Sequence, residues 1–330
     1  MNKSLVIIPH YNKLSLLKEC LKYLDGQNYD SFEVAIVDNG STDGSAEYIY
    51  DLSKNDKKYH AILFNENMGF AYAVNKGIKY AIENGFDYSI LLNNDAYVKS
   101  DFVENLTDSI LSHRDAFAVS SLMLNFKKPN IVDSFGDYYT ILGWAYQGRV
   151  GTDINEIIED EMAFSACGGA SIYRNTVFEK IGLFDEKFFA YLEDIDVSYR
   201  AKLHGYNVYT CKDAVCYHLG SATSGSKYNK FKVKMSARNN IYLIYKNMPI
   251  YQLLINLIPI CIGTAIKFLF FLFRGFGIDY LSGTISGIKN CSMIDRTNFR
   301  RINIANVINI EVQLIKNTFK YISNFIKRHT

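Results

Sequence analysis

The chain has 330 residues, enough for one large domain with an appendage or for two domains. Its formal charge is +2, with 36 Lys and Arg against 34 Asp and Glu, so no strong field indicates a nucleic acid partner. The six cysteines are scattered without a Cys-x-x-Cys pair, which argues against structural zinc and is typical of reduced cytosolic thiols. No signal peptide is read before the first apolar run, so we expect the first domain to stay in the cytoplasm.

The first part of the chain alternates short apolar runs with amphipathic segments. The runs predict buried strands at Leu5–Pro9, Phe32–Val37, Ala61–Phe64 and Ile90–Leu92. Helices are predicted from near Ser15, after a cap at Thr42 or Asp43, through Ala71–Ala81, and from Asp101 to His113. Strand and helix in alternation predict an α/β domain with a mainly parallel sheet flanked by helices.

Three of these strands end in polar residues: Tyr11-Asn12 after the first, Asp38 after the second and Asn94-Asp95 after the fourth. Such ends should meet in one crevice at the edge of the sheet. Asp95 is a hard oxygen ligand, suited to Mg²⁺ or Mn²⁺ held between protein and a diphosphate. Taken alone, Asn-Asn-Asp at a strand end is more often a plain turn.

The pattern changes after His113. Strands carrying aromatic side chains are predicted at Val119–Phe126 and Ile131–Tyr139, a helix from Asn175, and a further strand at Val208–His218. No internal repeat or low-complexity linker is present.

Five short motifs in order make the sequence resemble the family-2 glycosyltransferases with the GT-A fold, particularly their rhamnosyltransferase-like branch. The motifs are Pro9-His10-Tyr11-Asn12, Val37–Asp43, Asn67–Ala71 with Asn75 and Gly77, Asn93-Asn94-Asp95, and Glu193-Asp194-Ile195-Asp196. They span residues 4 to 220. The resemblance implies transfer of a sugar from a nucleotide diphosphate donor.

The resemblance also implies which residues bind the donor: Pro9, Tyr11, Asn12, Asp38, Asn67, Gly69, Asn75, Asn93, Asn94 and Arg238. Physically, Asp38 can accept the N3–H of a pyrimidine; the less favoured alternative is that it merely caps a turn. Pro9 and Tyr11 offer surfaces for the base and ribose. Gly69 allows close backbone approach to the donor and opens a helix whose N-terminus favours phosphate.

By the same resemblance, Asp95 holds the metal, and Asn93 stands where the family more usually has a carboxylate. His218 is either a second metal ligand or a packed histidine. Asp194 is implied as the general base, with Glu193 and Asp196 orienting Asp194 or Arg200. Gly168, Gly169 and Trp144 are expected to contact the acceptor.

The segment Gly220–Lys227 nearly matches a phosphate-binding loop, but Ser226 occupies the required lysine position, so that interpretation is rejected. Together with the cations that follow, the segment predicts either a flexible lid over the diphosphate or an exposed basic face. The cations are Lys227, Lys230, Lys232, Lys234 and Arg238.

We divide the chain into a catalytic domain at 1–245 and a helical, membrane-associating region at 246–330. Tyr251–Phe273 is apolar enough to cross a bilayer, but its Pro259 and Gly263 favour two shorter interfacial helices. The closing segment is amphipathic, with Lys316, Lys320 and Lys327 suited to anionic lipid. Alternatively, these helices pack on the enzyme or on a second copy in a homodimer.

The sequence therefore predicts an inverting, metal-dependent hexosyltransferase at the cytoplasmic face of the cell membrane. The favoured donor is dTDP-rhamnose, followed by UDP-hexose or UDP-galactofuranose, and the acceptor is a polyprenyl-linked saccharide in cell-surface glycan assembly. The alternative is a non-catalytic nucleotide-sugar-binding subunit of a polysaccharide assembly complex. A dinucleotide oxidoreductase is disfavoured because no Gly-x-Gly-x-x-Gly follows the first strand.

Overall fold

The computed structural model describes residues 3–220 and 228–327. The strands are β1 Ser4–His10, β2 Phe32–Asn39, β3 Tyr59–Phe64, β4 Tyr88–Leu92, β5 Ala96–Val98, β6 Ala116–Asn125, β7 Lys128–Phe135, β8 Asp137–Tyr139, β9 Ala145–Gln147, β10 Met162–Ala163, β11 Ala170–Arg174 and β12 Asn207–His218. The α-helices are α1 Leu14–Asp25, α2 Ser45–Asn55, α3 Phe70–Glu83, α4 Phe102–Ser112, α5 Asn175–Ile181, α6 Glu193–Leu203, α7 Lys230–Asn247, α8 Ile250–Leu272, α9 Gly277–Asn290 and α10 Ile304–Lys327.

One large sheet forms the centre of the molecule, with strand order β10-β12-β6-β11-β4-β1-β2-β3. The strands β3, β2, β1 and β4 are parallel, whereas β11 runs antiparallel to both β4 and β6. The pair β6–β12 is parallel again. The predicted α/β fold is confirmed, with a sheet that is parallel in its N-terminal half and mixed beyond β4.

The apolar run of β1 separates two cores because successive side chains of a strand point to opposite faces. Val6 packs in the core that contains Leu17 of α1, and Ile7 packs in the core that contains Val74 of α3. All four side chains are fully buried. A strand covered by helices on both faces needs a continuous apolar sequence, which is why β1 shows no polar alternation.

The helix α8 is continuous, so the prediction of two shorter helices between Tyr251 and Phe273 is wrong. Pro259 lies inside the helix. A proline removes one backbone hydrogen bond, but the apolar sequence continues on both sides and the helix does not end there. Within the described residues, α8 is the one helix long and apolar enough to cross a membrane.

The polarity of α8 is inverted relative to a helix on the surface of a soluble protein. Its Gln252 and Asn256 are buried and donate side-chain hydrogen bonds of 2.9 and 2.8 Å to Glu311 of α10. Its Leu254 and Ile258 are 67% and 72% exposed. The outward face of α8 is therefore apolar, and the inward face carries the hydrogen bonds.

The helix α10 also differs from the predicted basic amphipathic helix. Lys320 turns toward the protein, where its Nζ lies 2.6 Å from Glu161 Oε2. The outward stripe includes Ile308, Ile315 and Phe319. The prediction that Lys320 faces lipid is therefore wrong, because Lys320 forms an ion pair with the partly buried carboxylate of Glu161.

A buried ionic network joins α6 to α7. Asp196 is fully buried, and its Oδ2 lies 3.0 Å from Arg200 Nη2 and 3.2 Å from Lys246 Nζ. Its Oδ1 accepts a 2.7 Å hydrogen bond from Asn247. Burial alone would raise the pKa of Asp196, but Arg200 and Lys246 lower it overall. The carboxylate stays charged and fixes the first turn of α6 against the end of α7.

We expect Lys246→Met to lower the free energy of unfolding by about 3 kcal/mol, because it leaves buried carboxylates with less compensating charge. Lys246 contacts both Asp196 and Asp185. Urea denaturation of the variant and of the wild type measures the effect. The control is Lys212→Met, which breaks the exposed pair with Asp213 and should cost about 0.5 kcal/mol or less. Equal losses in both variants would contradict the assigned role of the network.

Candidate active site

The parallel strands bring three predicted polar ends to one edge of the sheet. The register pairs His10 at the end of β1 with Asp38 at the end of β2, and β1 also pairs with β4. The loops after β1 and β2 are joined directly, since the side-chain oxygen of Asn12 accepts a 2.9 Å hydrogen bond from the backbone N–H of Thr42. This edge is the crevice expected from the alternation of strands and helices.

A buried hydrogen-bond chain holds this edge together. Asn94 donates to Nδ1 of His10 over 2.8 Å, and Nε2 of His10 lies 2.8 Å from the Ser45 hydroxyl, which in turn donates to Asp43. Burial lowers the pKa of His10, which favours the neutral ring that this chain requires. Asn94, which was predicted to bind the sugar donor, therefore forms a hydrogen bond to another protein side chain. His10 was not among the predicted site residues, although its position between Pro9 and Tyr11 was a signal.

Asp38 has an acceptor atom left for a ligand. It is fully buried, and its Oδ2 accepts a 3.0 Å hydrogen bond from the backbone N–H of Ser41. Its Oδ1 has no hydrogen-bond partner among the described residues. An unpaired buried acceptor is costly, so a ligand N–H at this position would be favourable. Tyr11 nearby is 40% exposed and Pro9 is partly buried.

Position 69 requires glycine because Phe189 packs against it, whereas the sequence predicted close approach of the sugar donor. A side chain at Gly69 would lie 2.6 Å from the ring of Phe189, and its φ is +92°. The backbone N–H groups of Phe70 and Ala71, at the start of α3, donate to the carbonyl of Phe189. These two N–H groups are not free for phosphate, and the expected phosphate site at this helix N-terminus stays a prediction. Asn67 supports the same turn by accepting a 3.0 Å hydrogen bond from the N–H of Gly69.

Two further residues that were predicted to bind the sugar donor form hydrogen bonds to the protein backbone. The Asn75 amide donates to the carbonyl of Phe184 and to Glu186, and its oxygen accepts from the N–H of Phe184. Arg238 donates through Nη2 to the carbonyls of Lys187 and Phe188. Both side chains therefore position the segment that leads to α6, and their contact with the sugar donor stays a prediction.

Strand pairing brings His218 beside Asp95. β12 pairs with β5, with His218 opposite Ala96, and His218 Nε2 lies 3.5 Å from Asp95 Oδ1. On its other side, His218 Nδ1 lies 2.7 Å from Asp133 Oδ2. Burial would lower the pKa of His218, but its hydrogen bonds to Asp133 and Asp95 raise it to about 9. Asp133 was missed from the sequence, where it is one of several polar residues of β7 and has no distinctive signal.

Asp95 and His218 fit a divalent cation once the cation displaces the proton on His218 Nε2, because the raised pKa keeps the free ring protonated at neutral pH. Carboxylate and imidazole are suitable ligands for Mn²⁺, and Asp133 would fix the orientation of the His218 ring. No cluster of three His, Cys, Asp or Glu side chains suited to a metal occurs among the residues described. Two protein ligands would leave the remaining positions to phosphate oxygens and water, as is common for Mg²⁺.

Two glycines link the Asn93–Asp95 segment to Asp194. The N–H of Ile195 donates a 2.8 Å hydrogen bond to the Asp194 carboxylate, and the backbone N–H of Gly168 is close enough to lower the pKa of that carboxyl. The carbonyl of Gly169 accepts a 2.8 Å hydrogen bond from the N–H of Asn93. A side chain at Gly169 would lie 2.9 Å from the Asn93 amide. The predicted acceptor residues Gly168 and Gly169 thus lie between the predicted metal ligand and the predicted base.

The carboxyl group of Asp194 is tuned by its surroundings. Burial raises the pKa of Asp194 to about 6, although the backbone N–H donors oppose the shift. Burial, followed by the Asp194 charge, raises the pKa of Glu193 and of Asp137 well above the usual range. Three backbone N–H groups favour the charged form of Asp194, whereas Glu193 and Asp137 have one donor each, so Asp194 is the group best suited to ionise. Asp137 was missed as well; it begins the short strand β8, and no motif in the sequence marks it.

The backbone before α6 is strained and is held by α7. Phe189, Tyr191 and Leu192 have φ values of 64°, 72° and 68°, which is costly for residues other than glycine. The Asn239 amide donates to the carbonyls of Ala190 and Tyr191 over 2.9 and 2.7 Å. Strain that is compensated in this way is common beside catalytic groups.

The remaining predicted residues lie apart from this edge. Asp196 belongs to the buried network of α6 and α7, so its predicted catalytic role is corrected to a structural one. The Trp144 indole donates a 3.0 Å hydrogen bond to the carbonyl of Gly263 on α8. Of the predicted lid, residues 221–227 lie outside the described residues, and Lys230 to Arg238 form part of α7 rather than a loop.

Comparison with known proteins gives a family match and several individual relatives. Residues 5–182 match the family model described as Glycosyl transferase family 2. Glycosyltransferase GlyA of Streptococcus pneumoniae is 31% identical over 151 residues, which are 45% of this chain and 20% of GlyA. A teichoic acid poly(glycerol phosphate) polymerase of Staphylococcus epidermidis is 36% identical over 76 residues, 23% of this chain and 10% of that protein. The chain thus spans only a small part of the length of these relatives.

Among solved structures, the mannosyltransferase PcManGT of Pyrobaculum calidifontis, in complex with GDP-Man and Mn²⁺, superposes with a TM-score of 0.54. The superposition covers 87% of each chain at 16% sequence identity. Likeness at this identity establishes a shared fold.

Proposed function

The chain belongs to glycosyl transferase family 2, and we propose that it transfers one sugar, with inversion, to a hydroxyl of a lipid-linked saccharide. The donor would be a nucleotide diphosphate sugar bound at the carboxyl ends of β1, β2 and β4. The observation that carries this proposal is the link through Gly168 and Gly169, which joins Asp194 to the Asn93–Asp95 segment. This link supports a single crevice in which Asp194 acts as proton acceptor and Asp95 as cation ligand.

In this reaction Asp194 accepts the proton of the acceptor hydroxyl as that oxygen attacks the anomeric carbon. The bond from the anomeric carbon to the diphosphate oxygen breaks on the opposite face, which inverts the configuration. A divalent cation bound at Asp95 and His218 would neutralise charge on the departing diphosphate. Neutral Glu193 and Asp137 around Asp194 keep the local charge low, which supports a basic carboxylate at neutral pH.

For the donor we propose a pyrimidine nucleotide, with dTDP-rhamnose first and UDP-hexose or UDP-galactofuranose next. The unpaired Oδ1 of Asp38 supports this choice, since a pyrimidine offers an N3–H to such an acceptor. The match to a teichoic acid polymerase supports a role in assembly of cell-envelope glycans. The sugar itself depends on the pocket walls.

We also propose that residues 246–330 attach the enzyme to the cytoplasmic face of a membrane. The exposed apolar side chains of α8 and α10 support this assignment, since soluble surfaces rarely expose so continuous an apolar face. The rival occupant of this face is a second copy of the chain. For the whole protein, the rival function is a nucleotide-sugar-binding subunit without catalysis, which the buried basic carboxyl of Asp194 disfavours.

Asp194→Asn should lower the rate of sugar transfer at least about a hundredfold, because the amide cannot accept the hydroxyl proton. Nucleotide binding, measured by thermal shift with UDP and dTDP, should remain. The matched control is Asp213→Asn, an exposed carboxyl far from this crevice. Turnover retained in Asp194→Asn would mean that the base is another group.

The pH dependence of kcat/KM should report the same carboxyl. Asp194 must be deprotonated to act, and its pKa is raised to about 6. As the pH falls through 6, the active fraction declines, so kcat/KM should drop about tenfold per pH unit below that value. Measurement at saturating Mn²⁺ separates this effect from proton competition at His218. A flat profile between about pH 5 and 7 would contradict the assignment.

Ile258→Glu together with Ile262→Glu should weaken co-sedimentation with lipid vesicles at least about tenfold, because two exposed apolar side chains of α8 become charged. The control is Tyr50→Glu with Leu111→Glu, which alters two exposed apolar residues on α2 and α4. The wild type could instead fail to bind vesicles and form a dimer that the α8 substitutions disrupt. That result would show that this face contacts a second copy of the chain.

A further inference from the structure

A cavity of about 930 Å³ lies between the strained loop before α6 and the helices α7, α8 and α10. Tyr191 and Leu192 form part of its wall, and they directly precede Glu193 and Asp194. Trp144 and Tyr146 line it from the β9 region. The cavity thus begins beside the proposed base, and its volume is in the range typical of ligand sites.

The cavity continues to the exposed apolar surface. Ile266 of α8 and Ile322 and Phe325 of α10 line it and are also 46%, 45% and 54% exposed. These are the faces that carry the outward apolar side chains of the two helices. A hydrocarbon chain could therefore pass from the proposed membrane face into the cavity without crossing polar surface.

The walls combine apolar groups with positive charge. Phe270 and Phe271 contribute aromatic surface, while Lys267 and Lys232 contribute ammonium groups. The Lys267 ammonium lies 5.9 Å from the centre of the Trp144 ring. None of the described lining residues is Asp or Glu. An occupant with a hydrocarbon chain and an anionic group would match both features.

We propose that this cavity binds the prenyl-phosphate part of the membrane acceptor. The hydrocarbon would lie between α8 and α10, and the phosphate or diphosphate would lie near Lys267. The saccharide on that phosphate would then extend past Leu192 toward Asp194. This inference rests on the proposed transfer to a lipid-linked saccharide, and it assigns the part of the acceptor that is not a sugar.

In this proposal Trp144 lines the part of the cavity that binds the phosphate of the acceptor. Its indole N–H is held by Gly263 of α8, and its ring faces the cation that would meet the phosphate. Trp144 is the one tryptophan in the 330-residue sequence, so its fluorescence reports on this cavity alone.

The test titrates full-length protein in detergent with farnesyl diphosphate and records Trp144 fluorescence, with farnesol and inorganic diphosphate as separate probes. We expect a saturable change with farnesyl diphosphate at a Kd at least about tenfold lower than for either part alone. Lys267→Gln should raise that Kd about tenfold. The matched control, Lys289→Gln, removes an exposed charge on the neighbouring helix α9 and should change nothing. Urea denaturation shows whether each variant is folded.

Equal binding of farnesol and farnesyl diphosphate, or equal weakening by Lys267→Gln and Lys289→Gln, would overturn the inference. Displacement of farnesyl diphosphate by UDP or dTDP would also overturn it, because the cavity would then belong to the donor. If the wild type turns over nucleotide sugar but shows no saturable fluorescence change, the cavity assignment fails and the proposed function stands. If it binds farnesyl diphosphate as expected but never turns over a nucleotide sugar, the proposed function fails.

Discussion

The charged carboxylate of Asp196, buried between α6 and α7, is the constraint on which the arrangement of this molecule depends. A buried charge is tolerated only when its surroundings supply donors in the correct geometry. Arg200, Lys246 and Asn247 supply them, and Arg200 also donates to the carbonyls of Ile181, Gly182 and Leu183. The orientation of α6, which begins with Glu193 and Asp194, is therefore fixed by residues on both sides of the helix.

This constraint links the crevice at the sheet edge to the C-terminal helices. α7 supplies Lys246 to the ionic network and Asn239 to the strained loop before α6, and it packs against α9. The carbonyl of Phe189, in the same loop, receives the first N–H groups of α3. The start of α6 with Asp194, the cavity beside α7 and the apolar outer face of α8 are thus parts of one packed unit.

The sequence predicted the features that depend on local pattern. Apolar runs that end in polar residues located Asp38 and Asp95 at one sheet edge, and the acidic turn of Glu193 to Asp196 located the start of α6. It could not predict roles that depend on distant partners. The reason for Gly69 is Phe189, and the role of Asn75 is set by Phe184, each more than a hundred positions away. Likewise, Asp133 reaches His218 only through the pairing of β6 with both β7 and β12.

The inverted polarity of α8 and α10 has a consequence for how this region tolerates substitution over evolution. In most globular domains, the interior resists change and the surface drifts freely. Here the amides Gln252 and Asn256, together with Glu311, form the interior contact and have no interchangeable substitutes. The outward leucine and isoleucine positions need only remain apolar. We therefore expect related chains to vary widely in the identity of these outer side chains while retaining a polar seam between the two helices.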